Sequence, residues 1–315
     1  MPFAVRSRFD WRLRTRSLAL GPRTLVMGIL NATPDSFSDG GRFLDPRAAL
    51  DHALQMLDED ADILDLGGES TRPNATPVTP AEEQSRVLPV LRAILAARPD
   101  AILSIDTYHA ETARLAIEAG AEIVNDVSGL LWDDAMAATC AALNCGTLLM
   151  HTRGRPHEWR SLPALASTEV TPLVLRELRA RSEAALAAGI HRDAIVLDPG
   201  FGFGKAFDEN FPLLAQFDRL HALGFPLLAG LSRKGFLRRA LAEKSPAETT
   251  RKSGAPHLDS KMWVSATLAA NTAAILAGAH ILRVHDVRAA REAAAIADRI
   301  LAAVATTTQP PKPLS

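Results

Sequence analysis

The chain is poor in cysteine and tyrosine: Cys140 and Cys145 are its only thiols, and there is one tyrosine in 315 residues. Two thiols without paired metal-ligand spacing make neither a disulfide framework nor a zinc site. They read as ordinary buried thiols, which fits a reducing, cytoplasmic setting. Excess charge is lacking too, since 35 Lys plus Arg face 36 Asp plus Glu for a net charge of −1. That balance argues against a nucleic-acid partner and against a membrane-surface role. No apolar stretch approaches the roughly 20 residues that a membrane helix needs. Also missing are a Ser-His-Asp order, a His-rich cluster and a pair of glycosidase-like carboxylates. The glycine-rich run Asp198-Pro-Gly-Phe-Gly-Phe-Gly-Lys205 lacks the spacing of a dinucleotide fingerprint, and Pro199 stands where a P-loop needs its first Gly.

What the chain does have is a succession of short apolar runs, most of them ending in a polar knot. TLVMGIL runs into Asn31, DILDL into Gly67-Gly68-Glu69-Ser70-Thr71-Arg72, and AILSI into Asp106-Thr107. AEIV leads to Asn125-Asp126, TLLM to His151, AIVL to Asp198-Pro199-Gly200, and PLLAGL to Ser232-Arg233-Lys234; HILRVHD carries Arg283 and His285. Apolar runs of this length, bounded by turn residues and separated by helical patterns, read as buried parallel strands. Eight strand–helix units in sequence predict an α/β fold, a closed (β/α)8 TIM barrel, with its active site at the carboxyl ends of the strands where the knots sit. Such a barrel takes about 250 residues as one unit, so residues 1–305 read as a single domain and 306–315 as a flexible tail.

The first 22 residues are Arg-rich, but their order argues against a transit peptide. Phe3, Val5, Phe9, Trp11 and Leu13 alternate with Arg6, Arg8, Asp10, Arg12 and Arg14. Period-two alternation predicts a β-hairpin with one charged face, placed across the amino-terminal end of the barrel. Helices are predicted over 46–60, 80–97, 110–119, 134–143, 169–188, 209–223, 260–277 and 287–304. Asp45 and Thr79 serve as N-caps, and Gly recurs at the helix ends. Residues 243–259, rich in Pro, Ser and Gly, read as a long loop between the seventh strand and its helix.

Candidate chemistry lies in the knots. Asp198 closes a strand ahead of a Gly-Phe alternation; it could accept paired hydrogen bonds from a guanidine-like edge beside Phe203, or simply form a tight turn. Arg283 and His285, two apart on one strand, share one side of the pleat and suit an anion such as phosphate, or are satisfied by Asp286 or other carboxylates. Lys234 could form a Schiff base, bind phosphate or donate to a carbonyl. Asp106, Asn125 and Asp198 end three different strands and offer acceptors and an amide but no nucleophile, a set that suits recognition of a flat heterocycle. The loops 31–41 and 71–79 could order around a ligand or be plain connections.

The strings NATPDSFSDGG, DLGGESTRP, SIDT, NDVSG, DPGFGFGK, LSRK and RVHDV, in this order, strongly resemble the dihydropteroate synthases of folate biosynthesis, from about Thr24 to Asp286. The resemblance implies a TIM barrel that joins 7,8-dihydropterin diphosphate to 4-aminobenzoate, releases diphosphate, uses Mg2+, is a sulfonamide target and forms a homodimer. It implies that Asp106, Asn125, Asp198 and Lys234 hydrogen-bond the pterin, that Met150 and Phe203 pack near its ring, and that Arg283 stacks on it while reaching phosphate. Asn31, Arg283 and His285 would take the diphosphate, with Asn31 close to Mg2+. Phe37, Thr71, Arg72, Pro73 and Ser232 would shape the aminobenzoate site. By the same resemblance Lys234, Arg283, His285 and Asp106 would be the catalytic set. The chain departs from the family pattern at Ala32, at Asn74 and in Thr152-Arg153-Gly154-Arg155-Pro156. Three other functions compete: a pterin-dependent methyltransferase, which would not need the diphosphate group of residues; a class I aldolase working through Lys234; and a non-catalytic pterin-binding paralogue.

Overall fold

A computed structural model describes residue 3 and residues 6–32, 46–69, 77–244 and 260–307 of the chain. Ten strands are assigned: β1 (Phe9–Arg12), β2 (Ser17–Leu20), β3 (Leu25–Asn31), β4 (Ile63–Gly67), β5 (Leu103–Asp106), β6 (Ile123–Asp126), β7 (Gly146–Met150), β8 (Ile195–Asp198), β9 (Leu228–Ala229) and β10 (Ile281–Val284). The last eight form one parallel sheet in the order β8-β7-β6-β5-β4-β3-β10-β9. Its two edges meet where Leu197 N–H donates to Pro226 O at 3.0 Å and Leu197 bridges Leu227, so the sheet closes on itself. This is the TIM barrel that the strand count predicts.

Strand parity divides the side chains into two layers, because successive Cβ atoms point to opposite faces. Val26, Leu64, Leu66, Leu103, Ile105, Val124, Leu149, Ile195, Leu197, Leu282 and Val284 pack outward in one core with the helices. Leu25, Met27, Ile63, Ile123, Leu148, Val196, Leu228 and Ile281 belong to a second, inner core. That inner cluster also contains Trp11, Leu13 and Leu20 from the β1–β2 hairpin, all at most 1% exposed, so the hairpin plugs the amino-terminal mouth of the barrel. Trp11 can be buried there because its indole N–H finds Ala194 O at 2.8 Å. The predicted charged face of the hairpin needs one correction. Arg6 is buried, with its guanidinium on Thr24 Oγ1 (2.6 Å), Ala279 O (3.2 Å) and Asp298 (2.5 Å). A cation preceding the strand is used as a cross-link to the C-terminal helix.

The helices are α1 (Pro46–Asp58), α2 (Pro80–Ala97), α3 (Ala110–Glu118), α4 (Met136–Leu143), α5 (Val170–Ala187), α6 (Asn210–Ala215), α7 (Gly235–Lys244), α8 (Ser260–Leu276) and α9 (Val287–Thr307). Thr79 caps α2 as expected, accepting from Glu82 N–H at 3.2 Å. Asp45, the other predicted cap, lies outside the described residues, as do 245–259 of the long loop. Three expectations fail. The predicted helix 209–223 is α6 followed by a 3-10 turn over Phe217–Leu223. The segment after β9 carries an additional helix, α7, that the sequence reading leaves unassigned. The last helix also runs to Thr307, two residues into the predicted tail. No described helix is long and apolar enough to cross a membrane.

Candidate active site

The inward layer, apolar at the bottom of the barrel apart from the buried Ser104 on β5, turns polar at the carboxyl ends. On β3, β4, β5, β6, β8 and β10 the inward parity reaches Asn31, Asp65, Asp106, Asn125, Asp198 and Arg283 (on β7 it reaches Met150). These residues are organised around one guanidinium. Arg283 Nε donates to Asp65 Oδ2 and its Nη2 to Asp106 Oδ2, each at 2.6 Å. Asn125 Nδ2 donates to the same Asp65 Oδ2 at 2.9 Å. Burial would lower the Arg283 pKa, but Asp65 and Asp106 outweigh it and hold the group firmly protonated. Burial pushes Asp106 up to about 7, against the pull of Arg283. Arg283 therefore already has its counter-charges, so its burial does not by itself require an anionic guest; Asp286 is bound by Arg233 instead, at 2.8 Å.

Asp65, wholly buried, is the residue that sequence reasoning overlooks. The signal was available: an Asp in the middle of DILDL sits at inward parity, two residues from Ile63, where an unpaired charge could not be tolerated. Its Oδ1 has no partner although it is buried. The site thus contains an acceptor for which no described residue supplies a donor.

Asp198 is held by the turn that follows it. Its Oδ1 accepts from Gly200 N–H at 2.7 Å, the tight-turn alternative, yet the carboxylate stays in the barrel mouth. Gly200 has φ +66°, and a Cβ there would lie 1.9 Å from His151 O, so only glycine allows this close approach of β7 and β8. A Cβ on Gly230 would lie 3.6 Å from Asp198 Oδ2, so the missing side chain keeps that oxygen approachable. Burial raises the Asp198 pKa, opposed by Gly200 N–H and by Lys234. Lys234 lies with Nζ 4.1 Å from the centre of the Phe203 ring, a cation–π contact. Burial brings its pKa down to about 8, while Asp198 works the other way. Trp159 meets Phe203 edge-on, with ring centres 5.3 Å apart.

Lys205 is a second overlooked residue. Its buried Nζ donates to Gly200 O (2.7 Å) and Phe203 O (3.2 Å), and more distantly to His151 O (3.5 Å), which ties the Gly-Phe loop together from beneath. The unusual Arg153 joins the same device, donating to Gly204 O at 3.1 Å and Pro163 O at 2.9 Å. Ser232 and His285, assigned to different subsites by the resemblance, are neighbours here, with Oγ and Nδ1 3.0 Å apart. Met150 is buried at the end of β7, and its carbonyl accepts from Arg181 at 2.5 Å. Phe37, Thr71, Arg72 and Pro73 lie outside the described residues. The structure thus gathers Asn31, Asp106, Asn125, Met150, Asp198, Phe203, Ser232, Lys234, Arg283 and His285 at one end of one barrel.

Acceptors end several strands, Arg283 stands on β10 and Lys234 just before α7, and the chain matches the pterin-binding enzyme family. That family's model matches residues 27–285. The chain is 40% identical over 296 residues to dihydropteroate synthase of Synechocystis, covering 93% of this chain and 92% of the relative. Among solved structures it resembles Xanthomonas albilineans dihydropteroate synthase with 4-aminobenzoic acid: TM-score 0.79, 39% identity, 96% of this chain and 100% of the other. The Yersinia pestis dihydropteroate synthase complex with a sulfonamide drug matches at TM-score 0.81 and 37% identity, covering 94% and 100% of the two chains. The chain belongs to the dihydropteroate synthase family of pterin-binding transferases.

Proposed function

We propose that this chain condenses (7,8-dihydropterin-6-yl)methyl diphosphate with 4-aminobenzoate through the residues gathered at the barrel mouth. The observation that carries the assignment is the inward row of acceptors, Asp106, Asn125 and Asp198, with Asp65 Oδ1 lacking a donor among the described residues. The amino and ring N–H groups of a pterin edge are donors, and buried carboxylates favour such ligands strongly. In this reading Lys234 donates to the pterin carbonyl side, Met150 and Phe203 flank the ring, and Arg283 covers its face. Asn31, His285 and the N–H groups of Arg283 not held by Asp65 and Asp106 take the diphosphate. Ser232, with Phe37, Thr71, Arg72 and Pro73, forms the aminobenzoate side.

Mg2+ fits this donor set. By the family resemblance the amide oxygen of Asn31, at the end of β3, would be a hard ligand, and Mg2+ commonly takes one or two protein oxygens together with substrate phosphates. When bound, it supplies charge neutralisation at the diphosphate. The chain's own groups do the rest by positioning and electrostatics. The bond between the pterin methylene and the diphosphate oxygen breaks, its electron pair leaves with the diphosphate, and ring nitrogens spread the positive charge. The aminobenzoate nitrogen then forms the C–N bond with its lone pair and sheds one proton to water. No base is needed to activate an amine that already has a free pair, which favours dissociation before attack. We place the homodimer and the cytoplasmic location on the family resemblance, the latter also on the two free buried thiols.

The test measures diphosphate and dihydropteroate in parallel. Both should appear in equal amounts and only with both substrates and Mg2+. Transfer of a one-carbon unit without diphosphate release would assign the chain to the methyltransferases instead. Borohydride treatment with substrates should leave the mass of Lys234 unchanged.

A further inference from the structure

Behind Asp106, on the outer side of the β4 and β5 rims, lies a second polar cluster that the condensation does not use. Glu69 follows β4, Glu83 lies in the first turn of α2, and His109 is the N-cap of α3. Their ligand-capable atoms all lie within 4.8 Å of one another. His109 Nδ1 is 3.1 Å from Glu83 Oε2, which also accepts from Thr107 Oγ1 at 2.8 Å. Tyr108 donates to Glu69 Oε1 at 2.9 Å. Among the described residues these contacts leave Glu83 Oε1 and Glu69 Oε2 with no hydrogen-bond partner, and the Glu83 side chain is only 1% exposed. Two carboxylates and one imidazole therefore converge where, among the described residues, the hydroxyls of Thr107 and Tyr108 and one ring N–H are the side-chain donors. A buried carboxylate oxygen without a donor is costly unless something else meets it.

We propose that Glu69, Glu83 and His109 form a binding site for a borderline divalent cation, with Zn2+ the best match. An imidazole nitrogen with two carboxylate oxygens is a donor set that Zn2+ takes with bonds of about 2.0–2.2 Å, a water completing a tetrahedron. Mg2+ and Ca2+ prefer oxygen alone. The ion would meet both orphaned oxygens by a contraction of the cluster, His109 Nδ1 turning from donor to ligand. It would cross-link the end of β4 to the starts of α2 and α3, and is distinct from the Mg2+ assigned above to Asn31.

The experiment titrates chelator-treated, desalted full-length protein with Zn2+ by calorimetry in excess Mg2+, and repeats it with Co2+ followed by visible absorption. One Zn2+ per chain should bind and raise the melting temperature, and Co2+ should give the d–d bands of a four-coordinate N/O site without sulfur charge transfer. His109→Lys keeps a cation beside Glu83 but removes the ring; Glu69→Gln removes a ligand on the less buried side. Each, shown folded by its circular dichroism, should lose at least tenfold in Zn2+ affinity. Absence of stoichiometric binding, affinity unchanged in both variants, or Co2+ spectra showing thiolate ligation at Cys140 and Cys145 would each overturn the site.

Discussion

The two ends of the barrel are built from the same strands and by opposite rules. At the bottom, inward positions carry Leu25, Met27, Ile63, Ile123, Leu148, Val196, Leu228 and Ile281, closed by Trp11, Leu13 and Leu20. Its one polar side-chain group in that plug, the Trp11 indole, has a hydrogen-bond partner. Two residues further along the same strands, at the same parity, stand Asp65, Asn125, Asp198 and Arg283, with Asp106 beside them on β5, and Asp65 Oδ1 has no donor among the described residues. The bottom is arranged for burial of apolar surface, the dominant favourable term in folding. The mouth accepts buried charge, and its residual imbalance points outward to a ligand. Stability and chemistry are thereby separated along one axis, and substitutions at the two ends should divide accordingly.

The sharpest test of the division is Trp11→Ala. Removing a fully buried indole should destabilise the chain by about 3–5 kcal/mol, seen in denaturant unfolding, while kcat/KM per folded molecule stays that of the parent. A fall in kcat/KM under conditions where the variant is fully folded would join the two ends. Next in size is Arg283→Lys at the mouth. The charge is retained, but a single ammonium cannot serve Asp65 and Asp106 in the geometry of a planar fork. Loss of that preorganisation should lower kcat/KM by about 10²–10³-fold, with a smaller change in melting temperature than Trp11→Ala produces.

Asp198→Asn follows. It removes the acceptor charge without changing shape, and calorimetry with a pterin analogue should show a loss of about 1.5–3 kcal/mol, roughly tenfold to a hundredfold in Kd. Unchanged affinity at unchanged melting temperature would take Asp198 out of the pterin site.

The smallest expected effect is in the pH dependence. Asp106, near 7, loses its charge below that value, and Lys234, near 8, loses its proton above it. The kcat/KM profile should be bell-shaped with its maximum between these limbs. The stability signs run the other way. The raised Asp106 pKa makes its ionisation a cost that grows as pH rises towards 7, and the lowered Lys234 pKa makes its ammonium a cost relieved only above 8. Both costs are fully present in the window of highest activity. Lys234→Met should therefore raise the melting temperature at pH 7.5 by a few degrees and abolish the alkaline limb. A melting temperature that falls instead would show that Lys234 contributes stability in the same sense as the bottom of the barrel.

By itself the sequence determined the barrel, because eight apolar runs alternating with capped amphipathic helices leave little other way to bury so many two-faced strands. It also determined the hairpin plug, since Phe9, Trp11 and Leu13 share one face by period two, and it put Asp106, Asn125, Asp198, Lys234 and Arg283 at strand ends. It did not show that Arg283 is shared between Asp65 and Asp106, that Ser232 stands beside His285, or that Lys205 and Arg153 fasten the glycine loop. Arg283 and Asp65 are 218 positions apart and Lys205 and His151 are 54 apart, and no local periodicity encodes which strand end faces which. Nor did it show α7. Those pairings were decided only when closure of the sheet brought β3 beside β10 and β8 beside β9. The physical reason is that parity along a strand is a local property fixed by backbone geometry, whereas the partner of a buried charge is set by the register and curvature of the whole barrel.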